Sequence, residues 1–226
     1  MPFRIYDIAR IIESRTGVRI LGKVAHGGIG IDGLASSLVT ICPVRKGGRV
    51  VQVTSSIPEE GKSYISAALG SALTRLDYRV VLIETDMHHV QPQSTPGGAV
   101  PAGLARYLAD PIAETSQVLC VSAPLALAPD RVPCGTAPSN PYALLSSLRM
   151  NHLIDELRLM GYDYILMDSP PCLAVPDAYS LDRLADLNIY VVRAGLMELF
   201  RVRNLLKIRS AGRLSDLMAV INDTRI

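Results

Sequence analysis

Val50-Val51-Gln52-Val53-Thr54-Ser55-Ser56-Ile57-Pro58-Glu59-Glu60-Gly61-Lys62-Ser63 decides the fold. An apolar run with strand character enters a short loop, and the loop ends in Gly-Lys-Ser at the start of an amphipathic stretch that extends to Asp77. Strand, glycine-lysine loop and helix in that order form a phosphate-binding loop of the type G-x-x-x-x-G-K-[ST]. In that loop backbone N–H groups wrap phosphate oxygens, the lysine supplies charge, the hydroxyl binds Mg²⁺, and the helix N-terminus adds its dipole. Ser56 stands where the pattern has its first glycine. Gly61, Lys62 and Ser63 stand where the chemistry needs them. A chance turn before a helix is the competing reading, and two further segments weigh against it.

Tyr164-Ile165-Leu166-Met167-Asp168 is an apolar strand that delivers a carboxylate to its C-terminal end. In a parallel sheet flanked by helices, ligands bind beyond the carboxyl ends of the strands. Lys62 and Asp168 are therefore expected to meet there, with Asp168 ordering the shell of a Mg²⁺ ion rather than attacking anything. Arg79-Val80-Val81-Leu82-Ile83 followed by Glu84-Thr85-Asp86 is a third strand, ending in two acids one residue apart. Alternation along a strand points Glu84 and Asp86 the same way, toward one metal–phosphate site. Acids at strand ends also simply start loops.

Outward from these segments the chain alternates. Strands are expected at residues 49–54, 79–83, 117–122, 163–167, 188–193 and 216–221, and helices at 62–76, 103–108, 141–160, 177–184 and 198–210. Irregular stretches rich in proline fall at 90–101 and 123–140. Repeated strand-then-helix units imply an α/β fold of the P-loop NTPase kind, a mostly parallel sheet with helices on both faces. One domain over residues 1–226 is expected, its first 45 residues a helical extension and linker. At 226 residues and 49% hydrophobic content the chain can bury a sizeable core, and the absence of Trp with only two Phe suits aliphatic strands covered on both faces. No uninterrupted apolar run approaches the roughly 18–20 residues of a membrane span, and no secretory leader is visible.

The net charge of +2 is too small and too dispersed to argue for nucleic acid. Arg201, Arg203, Lys207, Arg209 and Arg213 cluster on an expected helix and are read as a solvated face. Cys42, Cys120, Cys134 and Cys172 show no metal or disulfide spacing, so unpaired thiols in a reducing compartment are expected. Cys172 follows Pro170-Pro171 close to Asp168 and is read as a small apolar filler. His88-His89 without a third ligand is a weak metal signal.

These motifs together resemble the bacterial tyrosine kinase family, the cytosolic Wzc/CapB/CpsD-type domains of polysaccharide co-polymerases. The similarity lies in residues 55–63 (Walker A), 80–86 (the family's additional Walker A′) and 162–171 (Walker B). Residues 135–141 with Ser146-Ser147, Asp177-Ala178, 191–195 and 220–222 add to it. The resemblance implies phosphoryl transfer from ATP with Mg²⁺ to tyrosine in capsule or exopolysaccharide export. It implies nucleotide contacts from Ser56, Pro58, Glu60, Gly61, Lys62, Ser63 and Tyr64, with Arg193 and Asn222 at the adenine end. It places Mg²⁺ on Ser63, Asp86 and Asp168, and catalytic work on Lys62, Glu84, Asp86 and Asp168, with Asp86 the candidate base.

The partners implied are a transmembrane co-polymerase or chain-length regulator, in the same or a separate chain, and further copies of the chain. The place implied is the cytoplasm at the inner face of the bacterial membrane. Residues 7–16 with 17–22 resemble the connection that follows a second membrane span in fused members.

The chain departs from the family pattern at Glu84, which replaces an aspartate, and at His88 and His89, which replace basic residues. Ala35 and Leu38 occupy the arginine positions of the oligomerisation motif, and no tyrosine follows Tyr190, so autophosphorylation of a tail is not expected. These departures keep open a catalytically degenerate nucleotide-binding partner of the same machinery. A ParA/MinD-type ATPase shares the fold, but its signature lysine falls on Ile57.

Overall fold

A strand that is apolar at every position must be covered on both faces, because successive side chains point to opposite sides. The computed structural model, which describes residues 5–88, 103–123, 125–195 and 198–224, resolves such strands into one sheet. In chain order the elements are α1 (Ile5–Thr16), β1 (Arg19–Ala25), α2 (Ile31–Ile41), β2 (Arg49–Ser55), α3 (Lys62–Arg75), β3 (Val80–Glu84), α4 (Leu104–Ala109) and β4 (Asp130–Val132). They continue with α5 (Pro141–Leu145), α6 (Leu148–Leu159), β5 (Tyr164–Asp168), α7 (Asp177–Leu181), β6 (Leu187–Arg193), α8 (Glu198–Ser210) and β7 (Leu217–Thr224). The sheet has seven strands in the order β1-β7-β6-β2-β5-β3-β4. Every neighbouring pair is parallel.

The alternation sorts the core. Val51 and Val53 of β2, Tyr164 and Leu166 of β5, and Ile189 and Val191 of β6 pack with Leu34 and Leu38 of α2 and with Ile65 and Leu69 of α3. Their neighbours Ile165 and Met167 face the other way, onto Leu104 of α4, Leu145 of α5 and Leu153 of α6. Farther along that second face, Tyr190, Val192, Ala219 and Ile221 meet Ile8 and Ile12 of α1 and Val202, Leu205 and Ile208 of α8.

Three expectations are corrected. The N-terminal segment is not a helical extension throughout: Arg19–Ala25 is a strand, paired with β7 at the edge of the sheet. Leu21 and Val24 are buried, while Arg19, Gly22 and Lys23 give the segment the look of a linker, which suits an edge position. No strand forms over 117–122. Cys120 makes an isolated antiparallel bridge to Arg131, and the sheet strand is β4, an edge strand flanked by Pro129 and Pro133, where a missing N–H costs least. The helix expected over 141–160 is two helices. Ser147 adopts extended φ/ψ at the N-cap of α6 and its Oγ donates to Leu144 O at 2.6 Å, a local bond that competes with the helix. The loop expected at 90–101, and His89, lie outside the described residues.

The central position of β2 sets where a ligand can bind. From β2 the chain passes through α3 to β3, beyond β5, whereas from β5 it passes through α7 to β6, on the opposite side of β2. The crevice at this reversal opens at the carboxyl ends of β2 and β5.

Candidate active site

Beyond Val53, strand β2 carries buried polar residues in place of aliphatic ones. Thr54 Oγ1 donates to Pro170 O at 2.8 Å, and Ser55 Oγ to Ile57 O at 2.7 Å. The segment after β5 is stitched along the same stretch: Ser169 N donates to Val53 O at 3.0 Å, Cys172 N to Ser55 O at 2.8 Å and Leu173 N to Ser56 O at 3.3 Å. Glu59 and Gly61 then take φ of 66° and 90°, and α3 begins. A Cβ on Gly61 would lie 2.1 Å from Asn222 Nδ2, so glycine is required both for the left-handed backbone and for this approach.

Glu60 is buried inside the loop. Its Oε2 accepts from Ser56 N at 2.9 Å, Ser56 Oγ at 2.9 Å and Ile57 N at 3.3 Å. Its backbone oxygen accepts from Asn222 Nδ2 at 3.0 Å, and its Oε1 lies 2.9 Å from Arg201 Nε of α8. The serine that replaces the first glycine of the motif is tolerated because its hydroxyl turns inward onto Glu60.

At the mouth of the loop, Lys62 Nζ lies 3.1 Å from Asp86 Oδ2. Asp168, at the end of β5, lies beside the Ser63 hydroxyl and accepts a hydrogen bond from Ser66 Oγ at 3.4 Å. Burial pushes its carboxyl up to about 6; the Ser63 hydroxyl and Lys62 oppose the shift, and Asp86 and Glu84 reinforce it. Thr85 N and Oγ1 both donate to Asp168 O at 2.9 Å, which fixes the ends of β3 and β5 side by side.

Glu84 and Asp86 do not share one target. Strand β3 stops at Glu84, so the alternation that would align the two acids does not reach Asp86. Glu84 pairs with Arg131 and accepts from Cys134 N at 3.2 Å, whereas Asp86 pairs with Lys62. His88 N donates to Asp86 Oδ1 at 3.3 Å, and the His88 ring pairs with the buried Asp177 of α7.

Around the outer half of the loop, Arg193 Nε lies 2.8 Å from Asp223 Oδ2 and its Nη1 donates to Glu59 O at 3.3 Å. His26 Nδ1 lies 3.0 Å from Asp223 Oδ1. His26 and then Arg193 hold the Asp223 carboxyl below the usual range. Pro58 and Ser63 are exposed, as is Tyr64. Ser56, Pro58, Glu60, Gly61, Lys62, Ser63, Tyr64, Asp86, Asp168 and Asn222 thus gather at the carboxyl ends of the strands, with Arg193 beside them. Cys172 lies behind the loop, its Sγ 3.2 Å from Ser55 O, and burial pushes its thiol up to about 11.

Arg201 is a correction to the sequence reading. Its side chain is 14% exposed and ion-paired, not part of a solvated face. Helical spacing could not reveal this, because the partner lies in a distant loop. Arg131, Ser66, His26 and Asp223 were missed for the same reason.

The donor set suits a hard divalent cation. Such an ion takes a hydroxyl and one or two carboxylates from protein and fills its shell with phosphate oxygens and water, and Ser63, Asp168 and Asp86 offer that chemistry. Among the described residues no group of three or more His, Cys, Asp or Glu forms a self-sufficient metal cage. No helix among them is long and apolar enough to cross a membrane.

No protein-family model matches the chain. Tyrosine-protein kinase Wzc of Salmonella typhimurium is 33% identical over 145 residues, which cover 64% of this chain and 20% of that protein. Tyrosine-protein kinase CpsD of Streptococcus agalactiae serotype III is 30% identical over 152 residues, 66% of this chain and 63% of that protein. The chain therefore spans less than two thirds of the length of these curated relatives. Among solved structures, the kinase domain of Escherichia coli tyrosine kinase Etk shares the fold with a TM-score of 0.79 at 21% identity, over 94% of this chain and 92% of that one. The VpsO kinase domain matches with a TM-score of 0.69 at 26% identity, over 87% and 93% of the two chains. Cobyrinic acid a,c-diamide synthase of Mycobacterium smegmatis, solved with an ATP analogue and magnesium, shares the fold with a TM-score of 0.55 at 19% identity, over 77% and 72%.

Proposed function

We propose, on the premise that this chain is a homologue of the bacterial tyrosine-protein kinases, that it binds MgATP at the carboxyl ends of β2, β3 and β5 and transfers the γ-phosphoryl group to a tyrosine hydroxyl. The observation that carries the reading is the meeting of Lys62, Ser63, Asp86 and Asp168 at the mouth of a glycine-lysine loop. Lys62 and the loop N–H groups bind phosphate oxygens. Ser63 and Asp168, with Asp86, hold Mg²⁺, which when bound neutralises phosphate charge. Asp86 orients the acceptor hydroxyl and takes its proton, for which it must leave the Lys62 ammonium as phosphate arrives. Arg193 and Asn222 line the side on which the adenine sits. The setting is capsule or exopolysaccharide export, with a transmembrane co-polymerase as partner at the inner face of the membrane.

One observation favours a second reading, a nucleotide-binding regulator without transfer. Glu84 is committed to Arg131 and Cys134 N, which leaves Asp86 and Asp168 as the carboxylates at the loop. Calorimetry with MgATP and MgADP on the chain and on Lys62→Ala, followed by phosphotyrosine mass spectrometry with the partner present, separates the readings. Binding that Lys62→Ala abolishes, together with phosphotyrosine, supports the kinase. Binding without phosphotyrosine supports the regulator. No binding by the unaltered chain sinks both.

A further inference from the structure

Glu60 is held from three directions although it lies between two residues with left-handed backbone. Its side chain is 1% exposed. One carboxylate oxygen accepts from Ser56 N, Ser56 Oγ and Ile57 N; the backbone oxygen is held by Asn222 from β7; the other carboxylate oxygen faces Arg201 from α8 at 2.9 Å. A buried carboxylate stays ionised only with a cation or several donors beside it. Arg201 is the cation in contact, and it reaches Glu60 from a helix far downstream in the chain.

We infer that Arg201 is a positioning residue for the phosphate loop: by pairing with Glu60 it keeps that carboxylate on the Ser56 and Ile57 N–H groups, and so presets the turn whose remaining N–H groups face the phosphates. The inference rests on the nucleotide-binding reading for its consequence, but the brace itself exists without nucleotide. With Arg201 gone, the Glu60 carboxylate loses the cation that faces it and is free to swing toward water. That loosens its hold on Ser56 and Ile57 while leaving Gly61, Lys62 and Ser63 chemically intact.

The test uses the full chain with Arg201→Met, Arg201→Lys, Glu60→Gln and the Met/Gln double variant, at a temperature well below each melting point. Amide hydrogen exchange without nucleotide is the first readout. Arg201→Met is expected to lose protection across residues 55–61 while α3 and β5 keep theirs, and Arg201→Lys to restore part of it. Affinity for a fluorescent ATP analogue with Mg²⁺ is the second. Arg201→Met should weaken it by about tenfold to a hundredfold, as expected when a buried carboxylate loses the cation beside it, and the double variant should bind no worse than the weaker single variant.

Unchanged exchange over residues 55–61 in Arg201→Met overturns the inference, as does a double variant whose losses multiply. A general loss of protection throughout Arg201→Met, unrelieved by lysine, also overturns it, since Arg201 would then serve stability alone. If the unaltered chain binds no nucleotide, the proposed function fails, and the exchange data still decide the brace.

Discussion

Asp168 is an acid whose ionised form the fold disfavours, because burial pushes its carboxyl from 3.8 to about 6. A raised acid pKa contributes stability that is present below the unfolded value and lost as pH rises through the folded one. The nucleotide-free chain should therefore lose stability between roughly pH 4 and 6, on the order of 2–3 kcal/mol from this group. Asp168→Asn should remove that slope and raise the midpoint of urea unfolding at pH 7.5; an unchanged slope in a pH series would refute the assignment. Gly61→Ala should act the other way. Its φ of 90° costs an L-residue about 1–2 kcal/mol, and the approach of Asn222 adds to that. Asn222→Ala in the same chain should relieve the contact but not the backbone cost, which calorimetric melting can resolve. Glycine, lysine and the acid at the end of β5 were legible in the sequence because phosphate chemistry demands those residue types at that spacing. The Arg201–Glu60 pair was not, because a charge on a helix is ordinarily solvated and only its tertiary neighbour says otherwise.

At the scale of elements, the strands buried on both faces were legible with boundaries close to those observed. Their aliphatic runs in β2, β3, β5 and β6 leave little choice once they alternate with helices. Edge elements were harder: β1 carries charge and glycine, β4 is short and bounded by proline, and neither has the pattern of a strand covered on both sides. The break between α5 and α6 was hidden because apolar spacing continues across Ser146-Ser147, while a side-chain bond to Leu144 O ends the first helix. Helix α1 supplies a test of how firmly the N-terminal segment belongs to the sheet. Ile12 is fully buried among Val202, Leu205 and Ile208 of α8 and the outer strands. Ile12→Ala should cost about 2–4 kcal/mol in chemical denaturation, the range for emptying a packed site. A cost near zero would mean that α1 is docked only loosely and contributes little to the fold.

For the molecule as a whole, the site is an assembly of parts distant in sequence. Its lysine follows β2, its acids follow β3 and end β5, and its outer wall comes from β7 and α8. A ligand that touches all of them binds only the folded arrangement, so its affinity must appear as stability. MgATP at a hundred times its dissociation constant should add about 2.7 kcal/mol to unfolding, read as a rise in melting temperature that grows with ligand concentration. Lys62→Ala should melt lower than the unaltered chain without ligand, because the Lys62–Asp86 pair it breaks is largely buried, with side chains 13% and 11% exposed, and its loss removes the cation that faces Asp86; it should gain almost nothing from MgATP. Asp168→Asn should separate the two components: more stable than the unaltered chain without ligand at neutral pH, yet stabilised less by MgATP, since it has lost the carboxylate offered to the cation. Thermal melts of the three proteins over a series of MgATP concentrations decide the matter. Equal ligand-induced shifts in all three would mean that nucleotide binds somewhere other than the strand ends where Lys62 and Asp168 meet.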